Sequence, residues 1–491
     1  MPDYMFQLES RLSPEQRAAM VRIQELAAES ESNLYLVGGA VRDMVSGMSI
    51  RDLDFTIEGN PTKIIHELEK GGAKVIKQDD THRSAELLIA GDVDASISAA
   101  REEVYPRPGA KAETRFSTIM DDLRRRDFSI NAIAISLNAN SRGLLLDPTN
   151  GLADLERREI RALSIHSFTN QPVRLLRALR YAARMGFEME SRTKDWFDLA
   201  IERKHQDAIS AEDAGSEFRQ VAREEKPAPA LKSWESHGLL EVVNPTLAKR
   251  HPDYEAINRI FKVREDMVSS GLRPRLFAPT TAAILGRLKD AERKTVIGKM
   301  GFPAAELRAV RDLEAESLQL VKLLTGPKTA SPRDAYAFLE KAPLDLLAYI
   351  LAESSNSKAV GKIKTYFSKW KPLRQLLPGV AAELEALGME RGPKFDKVVE
   401  DFFQLQLFGR ARKPEDHAKI LRKLAGIKEA PKKPEEKKKP EKPKKKGEGS
   451  KPEAAPSGPV TPPKIEPHRM APGKSAPVPK AKGKPKSKKK K

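Results

Sequence analysis

Apolar residues recur at helical spacing over residues 12–29, where Ser13 precedes Pro14 and Ala18, Met20, Ile23 and Leu26 share a face. The pattern predicts a capped helix. From Asn33 it gives way to short apolar runs at 34–37, 53–57, 86–90, 133–137 and 144–146, separated by segments with helical spacing. Runs that short suit strands, and their alternation with helices is an α/β pattern. Past Leu163 the strand signals fade. Amphipathic helices then continue to about Leu424, with breaks near Pro227, Pro245, Pro274, Gly326, Pro378 and Pro393. No period of fixed length repeats.

Beyond Glu429 the pattern disappears into Lys, Pro, Glu, Gly and Ser. This stretch holds 14 of the 35 prolines. It has too few large apolar residues to offset the entropy of ordering, so a disordered extension over 428–491 is expected. It also changes the meaning of the net charge. Residues 430–491 carry 20 Lys and one Arg against six Glu, which is +15 of the formal +19. The other residues are close to neutral, so any anion site among them must come from local Arg and Lys placement. Absence of cysteine excludes disulfides and thiolate metal sites. No run approaches the ~18 apolar residues needed to span a bilayer, and no signal peptide is apparent, so a soluble cytoplasmic protein is expected.

Two segments carry candidate chemistry. Leu34-Tyr-Leu-Val-Gly-Gly-Ala-Val-Arg-Asp43 reads as strand, turn and helix start. Gly38 and Gly39 allow a ligand close to the backbone, and the helix start offers N–H groups to an anion. A plain tight turn is the competing reading. Nine residues on, Arg51-Asp-Leu-Asp-Phe-Thr-Ile57 puts Asp52 and Asp54 on one strand face and Leu53, Phe55 and Ile57 on the other. Two carboxylates projecting together repel unless a cation lies between them. Oxygen ligands of this kind suit Mg²⁺, which also binds substrate phosphates.

With these segments in place, the chain resembles the polymerase-β-like nucleotidyltransferases. Asp122-Leu-Arg-Arg-Arg-Asp-Phe-Ser-Ile-Asn-Ala132, Asp147-Pro-Thr-Asn-Gly-Leu-Ala-Asp-Leu155 and Gln171-Pro-Val-Arg-Leu-Leu-Arg-Ala-Leu-Arg180 narrow the resemblance to the bacterial class II CCA-adding enzyme and poly(A) polymerase family. Asp94 followed by Arg101-Glu-Glu-Val-Tyr-Pro-Arg-Pro-Gly109 is similar to that family's strand and flexible loop. Leu387-Gly-Met-Glu-Arg-Gly-Pro393 looks like its tail motif. The resemblance spans roughly residues 30 to 425.

It implies an N-terminal helix (1–30), an α/β nucleotidyltransferase head with a mixed β-sheet (31–165), and an all-α neck (166–230), body (231–377) and tail (378–427). Asp52, Asp54 and Asp94 would be catalytic, with Asp52 and Asp54 holding Mg²⁺; Asp92 shares a face with Asp94 and is an alternative. Gly38, Gly39, Arg42, Arg126, Asp127, Asn131, Gln171, Arg174, Arg177 and Arg180 would bind the nucleotide. On a helix Arg174, Arg177, Arg180 and Arg184 form one stripe opposite Leu175, Leu176, Leu179 and Ala183. Arg174 and Arg177 are expected to meet the nucleotide, and Arg184 to face solvent. The chain departs from the family where Asn170-Gln171 stands in place of Glu-Asp. A carboxylate there accepts from the amino group of cytosine or adenine. Gln171 also accepts, but donates as well and lacks charge, which implies looser discrimination.

The implied activity is template-independent, two-metal addition of CCA, or part of it, to the 3′ end of tRNA from CTP and ATP. A poly(A) polymerase using ATP is the alternative within the family. Outside this activity, an inactive RNA-binding scaffold is countered by the intact Asp52/Asp54 pair and by Arg126-Asp127. Nucleotidyl transfer to a small molecule fits poorly with the long helical part. The basic extension is expected either to bind RNA without specificity or to solubilise the chain.

Overall fold

The computed structural model describes residues 3–106, 112–411 and 414–427. The expected disorder of 428–491 lies outside the described residues, as does part of the expected flexible loop.

The first helix, α1 (Tyr4–Arg11), starts at an Asp3 cap and has no counterpart in the apolar pattern. The next, α2 (Pro14–Glu29), begins where the sequence reading placed it, with Ser13 and Gln16 closing a capping box. Then come β1 (Leu34–Val37), α3 (Gly39–Val45), β2 (Leu53–Ile57), α4 (Thr62–Lys70), β3 (Lys74–Asp79), β4 (Ser84–Ile89), β5 (Val93–Ala99), β6 (Arg101–Val104), β7 (Glu113–Phe116), α5 (Ile119–Arg124), β8 (Ala134–Ser136), β9 (Leu145–Leu146) and α6 (Gly151–Arg157). After Leu163, among the described residues, only a two-residue strand, Glu188–Met189, interrupts the helices. They include α7 (Ser167–Asn170), α8 (Arg174–Met185), α9 (Ser191–Glu202) and α10 (Ala211–Ala222). The expected α/β part followed by an all-α part is the architecture observed. Among the described residues no helix is long and apolar enough to cross a membrane.

Seven strands form a mixed sheet in the order β3-β4-β5-β2-β1-β8-β9. β2 runs parallel to β5, and the other neighbouring pairs are antiparallel. Alternation sorts the two faces. Leu34, Leu36, Leu53, Phe55 and Ile57 enter the main core. Tyr35 and Val37 point the other way, where Ile119 and Leu123 of α5 cover them. Asp54 pairs in register with Val37 and shares this second face. The main core runs on through α8 and α10, which is why the described sheet and helices form one unit. Trp234, fully buried, ties its indole N–H to the Leu176 carbonyl of α8 at 2.9 Å.

Candidate active site

The two glycines lie directly beneath the carboxylates. Gly38 has φ +63° and ψ −126°, a conformation that side chains resist, and it opens α3 without a side-chain cap. A Cβ on Gly38 would stand 3.1 Å from Arg126 Nη1 and 3.6 Å from Asp54 Oδ2. One on Gly39 would stand 3.5 Å from Asp54 Oδ2 and 3.9 Å from Asp52 Oδ1. The turn therefore keeps space open at the point where both carboxylates converge.

Their electrostatics differ. Burial and the neighbouring Asp52 charge push the Asp54 carboxyl up to about 6, although Ser96 Oγ donates to Asp54 Oδ1 at 2.6 Å. Burial also opposes the charge on Asp52, but Arg51, Arg184, Arg42 and Arg223 outweigh it and hold Asp52 below the usual carboxylate range. Arg51 Nη2 lies 3.5 Å from Asp52 Oδ2. Two half-buried carboxylic acids forced together, one of them reluctant to ionise, are a donor set that a hard divalent cation relieves.

Asp94 lies one register step from Ser96 on the same face, beside the position of Asp52. Its Oδ2 is held at 3.0 Å by Arg275 Nη2, which reaches in from the loop before the helix Phe277–Ile284 and also contacts the Asp92 carbonyl. Burial raises the Asp94 carboxyl, and the Asp52 charge adds to that effect. Among the described residues no three acid or histidine side chains converge closely enough to hold a metal. Asp52 and Asp54 are thus brought together, and Asp94 is engaged by an arginine instead. Asp92 sits in the β4–β5 turn at φ +58°.

The second motif folds as a turn anchored by Asp122. Asp122 is fully buried yet held below the usual carboxylate range, because Arg126 and Arg125 outweigh its desolvation. Arg126 donates to Asp122 Oδ2 at 2.9 Å, to the Asn131 carbonyl at 3.2 Å and to Thr56 Oγ1 at 3.2 Å, so it is fixed beside Gly38. The third motif supports the second. Asp147 caps the N–H groups of Gly151 and Leu152, and buried Asp154 accepts from Ser129 and Arg161. Gly151 packs so closely on the Ser129 carbonyl that a Cβ there would fall 2.2 Å away.

The remaining candidates close into a circuit. Arg42 donates to Asn131 Oδ1 at 2.7 Å, Asn131 to Asp127 Oδ1 at 3.1 Å, and Arg177 to Asp127 Oδ2 at 3.0 Å. Arg177 and Arg180 share Glu217, at 2.8 and 3.0 Å, and Arg180 and Arg184 share Glu224, at 3.1 and 3.2 Å. Arg184 then donates to Asp43 at 2.6 Å, and Arg42 closes the circuit by donating to Asp43 at 2.8 Å. Four arginines face four carboxylates around one neutral amide. Tyr181 lies under two of the guanidinium groups, 5.0 Å from Arg42 and 4.5 Å from Arg180. The arginine stripe of α8 is therefore matched by acids of α3, α10, the turn after α10 and the second motif. Arg184, expected in solvent, is only 10% exposed because both its ends are paired with buried acids.

Arg174 stands apart from the circuit. It donates to Gln171 Oε1 at 2.7 Å, to Ser167 Oγ at 2.8 Å and to the Arg125 carbonyl at 3.2 Å. The Gln171 amide nitrogen in turn donates to the Tyr105 hydroxyl.

Asp43, Arg51, Ser96, Glu217 and Glu224 were not singled out in the sequence. One signal was available for the two glutamates. Glu217 in α10 and Glu224 just past its end are seven apart in sequence, the same spacing as Arg177 and Arg184 on α8.

With that geometry established, the family is decided by two likenesses. The model of the Poly A polymerase head domain matches residues 34–161. An A-adding tRNA nucleotidyltransferase of Halalkalibacterium halodurans is 31% identical over 377 residues, which is 76% of this chain and 84% of that protein. The chain belongs to the class II CCA-adding and A-adding tRNA nucleotidyltransferase family. Within that family, an A-adding tRNA nucleotidyltransferase of Geobacter sulfurreducens is 25% identical over 427 residues, covering 85% of this chain and 48% of the relative. A CC-adding tRNA nucleotidyltransferase of Deinococcus radiodurans is 37% identical over 179 residues, covering 36% of this chain and 48% of the relative. The chain thus spans about half the length of these last two relatives. Members of the polymerase-β-like superfamily are typically metal-dependent.

Proposed function

We propose that this protein is a cytoplasmic nucleotidyltransferase that extends the 3′ end of tRNA by all or part of CCA, with ATP, or CTP and ATP, as nucleotide donors. The observation that carries the reading is the convergence of Asp52 and Asp54 above Gly39, with Arg126 fixed alongside. Addition of the terminal A is favoured by two A-adding relatives whose matches cover 85% and 76% of this chain. The division into head (31–165), neck (166–230), body (231–377) and tail (378–427) is part of this proposal.

Asp52 and Asp54 are the residues suited to Mg²⁺, which would supply charge neutralisation at the α-phosphate and the attacking 3′ oxygen. Asp94 would join them only on leaving Arg275. Gly38 and Gly39 leave room for the triphosphate, Arg126 and Arg177 face it, and Gln171 with Arg174 read the base. Arg42, Asp127, Asn131 and Arg180 act by holding these groups through the circuit. The test supplies each NTP singly to the protein with tRNA lacking its 3′ end and with an unrelated RNA, and sequences the products. One to three residues added to tRNA alone are expected. Long A-tracts on both RNAs would indicate poly(A) synthesis, and no addition to either would sink the proposal.

A further inference from the structure

The base-reading pair has a third member whose chemistry fixes the other two. Glu103 on β6 receives Arg125 at 2.7 Å and Arg101 at 2.9 Å, and these two cations keep it ionised although burial opposes the charge. An ionised carboxylate only accepts hydrogen bonds. The Tyr105 hydroxyl, 2.6 Å from Glu103 Oε2, must therefore give its single proton to Glu103. Its oxygen is left as an acceptor, and the Gln171 side chain faces it. Only the amide nitrogen of Gln171 can meet that oxygen favourably, so the amide carbonyl turns to Arg174. A flipped amide would set oxygen against oxygen at Tyr105 and N–H against N–H at Arg174.

The orientation has a consequence for substrate choice. Gln171 Oε1 retains a second lone pair beside the remaining N–H groups of Arg174. An acceptor next to a donor complements an exocyclic amino group next to an unprotonated ring nitrogen. Adenine and cytosine carry that edge, while guanine and uracil carry a carbonyl next to a ring N–H. We propose that Tyr105 is a specificity-determining residue that locks the Gln171 amide, so that Gln171 and Arg174 select nucleotides with amino-bearing adenine or cytosine edges. This deepens the proposed function and rests on its assignment of Gln171 and Arg174 to the base. The glutamine that replaces the family's carboxylate is compatible with discrimination here because Tyr105 and Glu103 deny it the wrong orientation.

The test measures the affinity of the full-length protein with Mg²⁺ for ATP, CTP, UTP and GTP, with single-nucleotide incorporation in parallel, for wild type, Tyr105→Phe, Gln171→Glu and the double variant. Tyr105→Phe should lower the preference for ATP or CTP over UTP and GTP by about tenfold, what one hydrogen bond is worth. Adding Tyr105→Phe to Gln171→Glu should leave the preference unchanged, since a carboxylate has no orientation to lock. Loss of packing alone would weaken all four nucleotides together. An unchanged ratio in Tyr105→Phe, an equal fall in both backgrounds, or a wild type that binds all four equally would overturn the inference. A wild type that discriminates in binding yet adds nothing to any RNA would overturn the proposed function and leave this inference standing.

Discussion

The carboxylate pair and the salt-bridge circuit adjoin one another and are built from the same residue types, with opposite outcomes. In the circuit every buried charge has a partner, and four arginines cancel four acids. At Asp52 and Asp54 two like charges converge, and Asp54 is pushed up to about 6 by burial and its neighbour. Saturated charges hold helices against the sheet, while the unresolved repulsion at Asp52 and Asp54 is one that a bound cation would relieve. Arg51 joins the two regions, reaching Glu224 at 3.6 Å and Asp52 at 3.5 Å.

The sharpest way to separate them is by substitution. Asp54→Ala or Asp52→Ala should lower nucleotide incorporation by about 10³-fold or more, the equivalent of several kcal/mol of lost charge stabilisation. Thermal melting of the Asp54→Ala protein should be unchanged or slightly raised, because a repulsion has been removed. Retained turnover in either variant would end the assignment.

In the circuit the expectation is reversed. Glu217→Ala leaves buried Arg180 and half-buried Arg177 without their shared acceptor, and urea denaturation should show a loss of about 3–5 kcal/mol. Should the variant keep its full stability, the circuit would be ornament rather than scaffold.

The pH dependence should differ as well. Asp54 binds its proton more tightly in the folded chain, at about 6, than its ordinary value of 3.8. Ionising it therefore costs the metal-free fold stability above pH 6, and that cost disappears as pH falls towards 3.8. A cation must displace the proton, so Mg²⁺ affinity measured calorimetrically should weaken by up to about tenfold per unit as pH drops below 6. Affinity that stays flat from pH 7.5 to 5 would mean that Asp54 is not a ligand.

The smallest effect concerns charges with few acidic partners in sequence. Removing residues 430–491 takes away +15 of the formal charge. RNA affinity at low salt should fall and the slope of log affinity against log salt should flatten, equally for tRNA and unrelated RNA, with nucleotide choice untouched. A selective loss of tRNA binding would assign the segment a specific partner.

Legibility followed the range over which each feature is set. β1 and β2 have the expected limits, because β1 is a continuous apolar run and β2 sets Leu53, Phe55 and Ile57 on one face. β5 was written more faintly. Val93, Ala95, Ile97 and Ala99 do alternate inward, but small Ala and Ser residues carry little strand signal. The helical spacing of Arg174, Arg177, Arg180 and Arg184 was also correct, yet a stripe says nothing of what it faces.

The sequence alone determined that Asp52 and Asp54 project together after a glycine turn, since a two-residue period is local backbone geometry. The tertiary structure alone decided which charges remain available. Glu217 lies 40 residues beyond Arg177, Asp43 lies 141 residues before Arg184, and Tyr105 lies 66 residues before Gln171. Their pairing arises only when the sheet and helices pack on a common core, because burial makes an unmatched charge costly and so requires its partner wherever the chain can supply one.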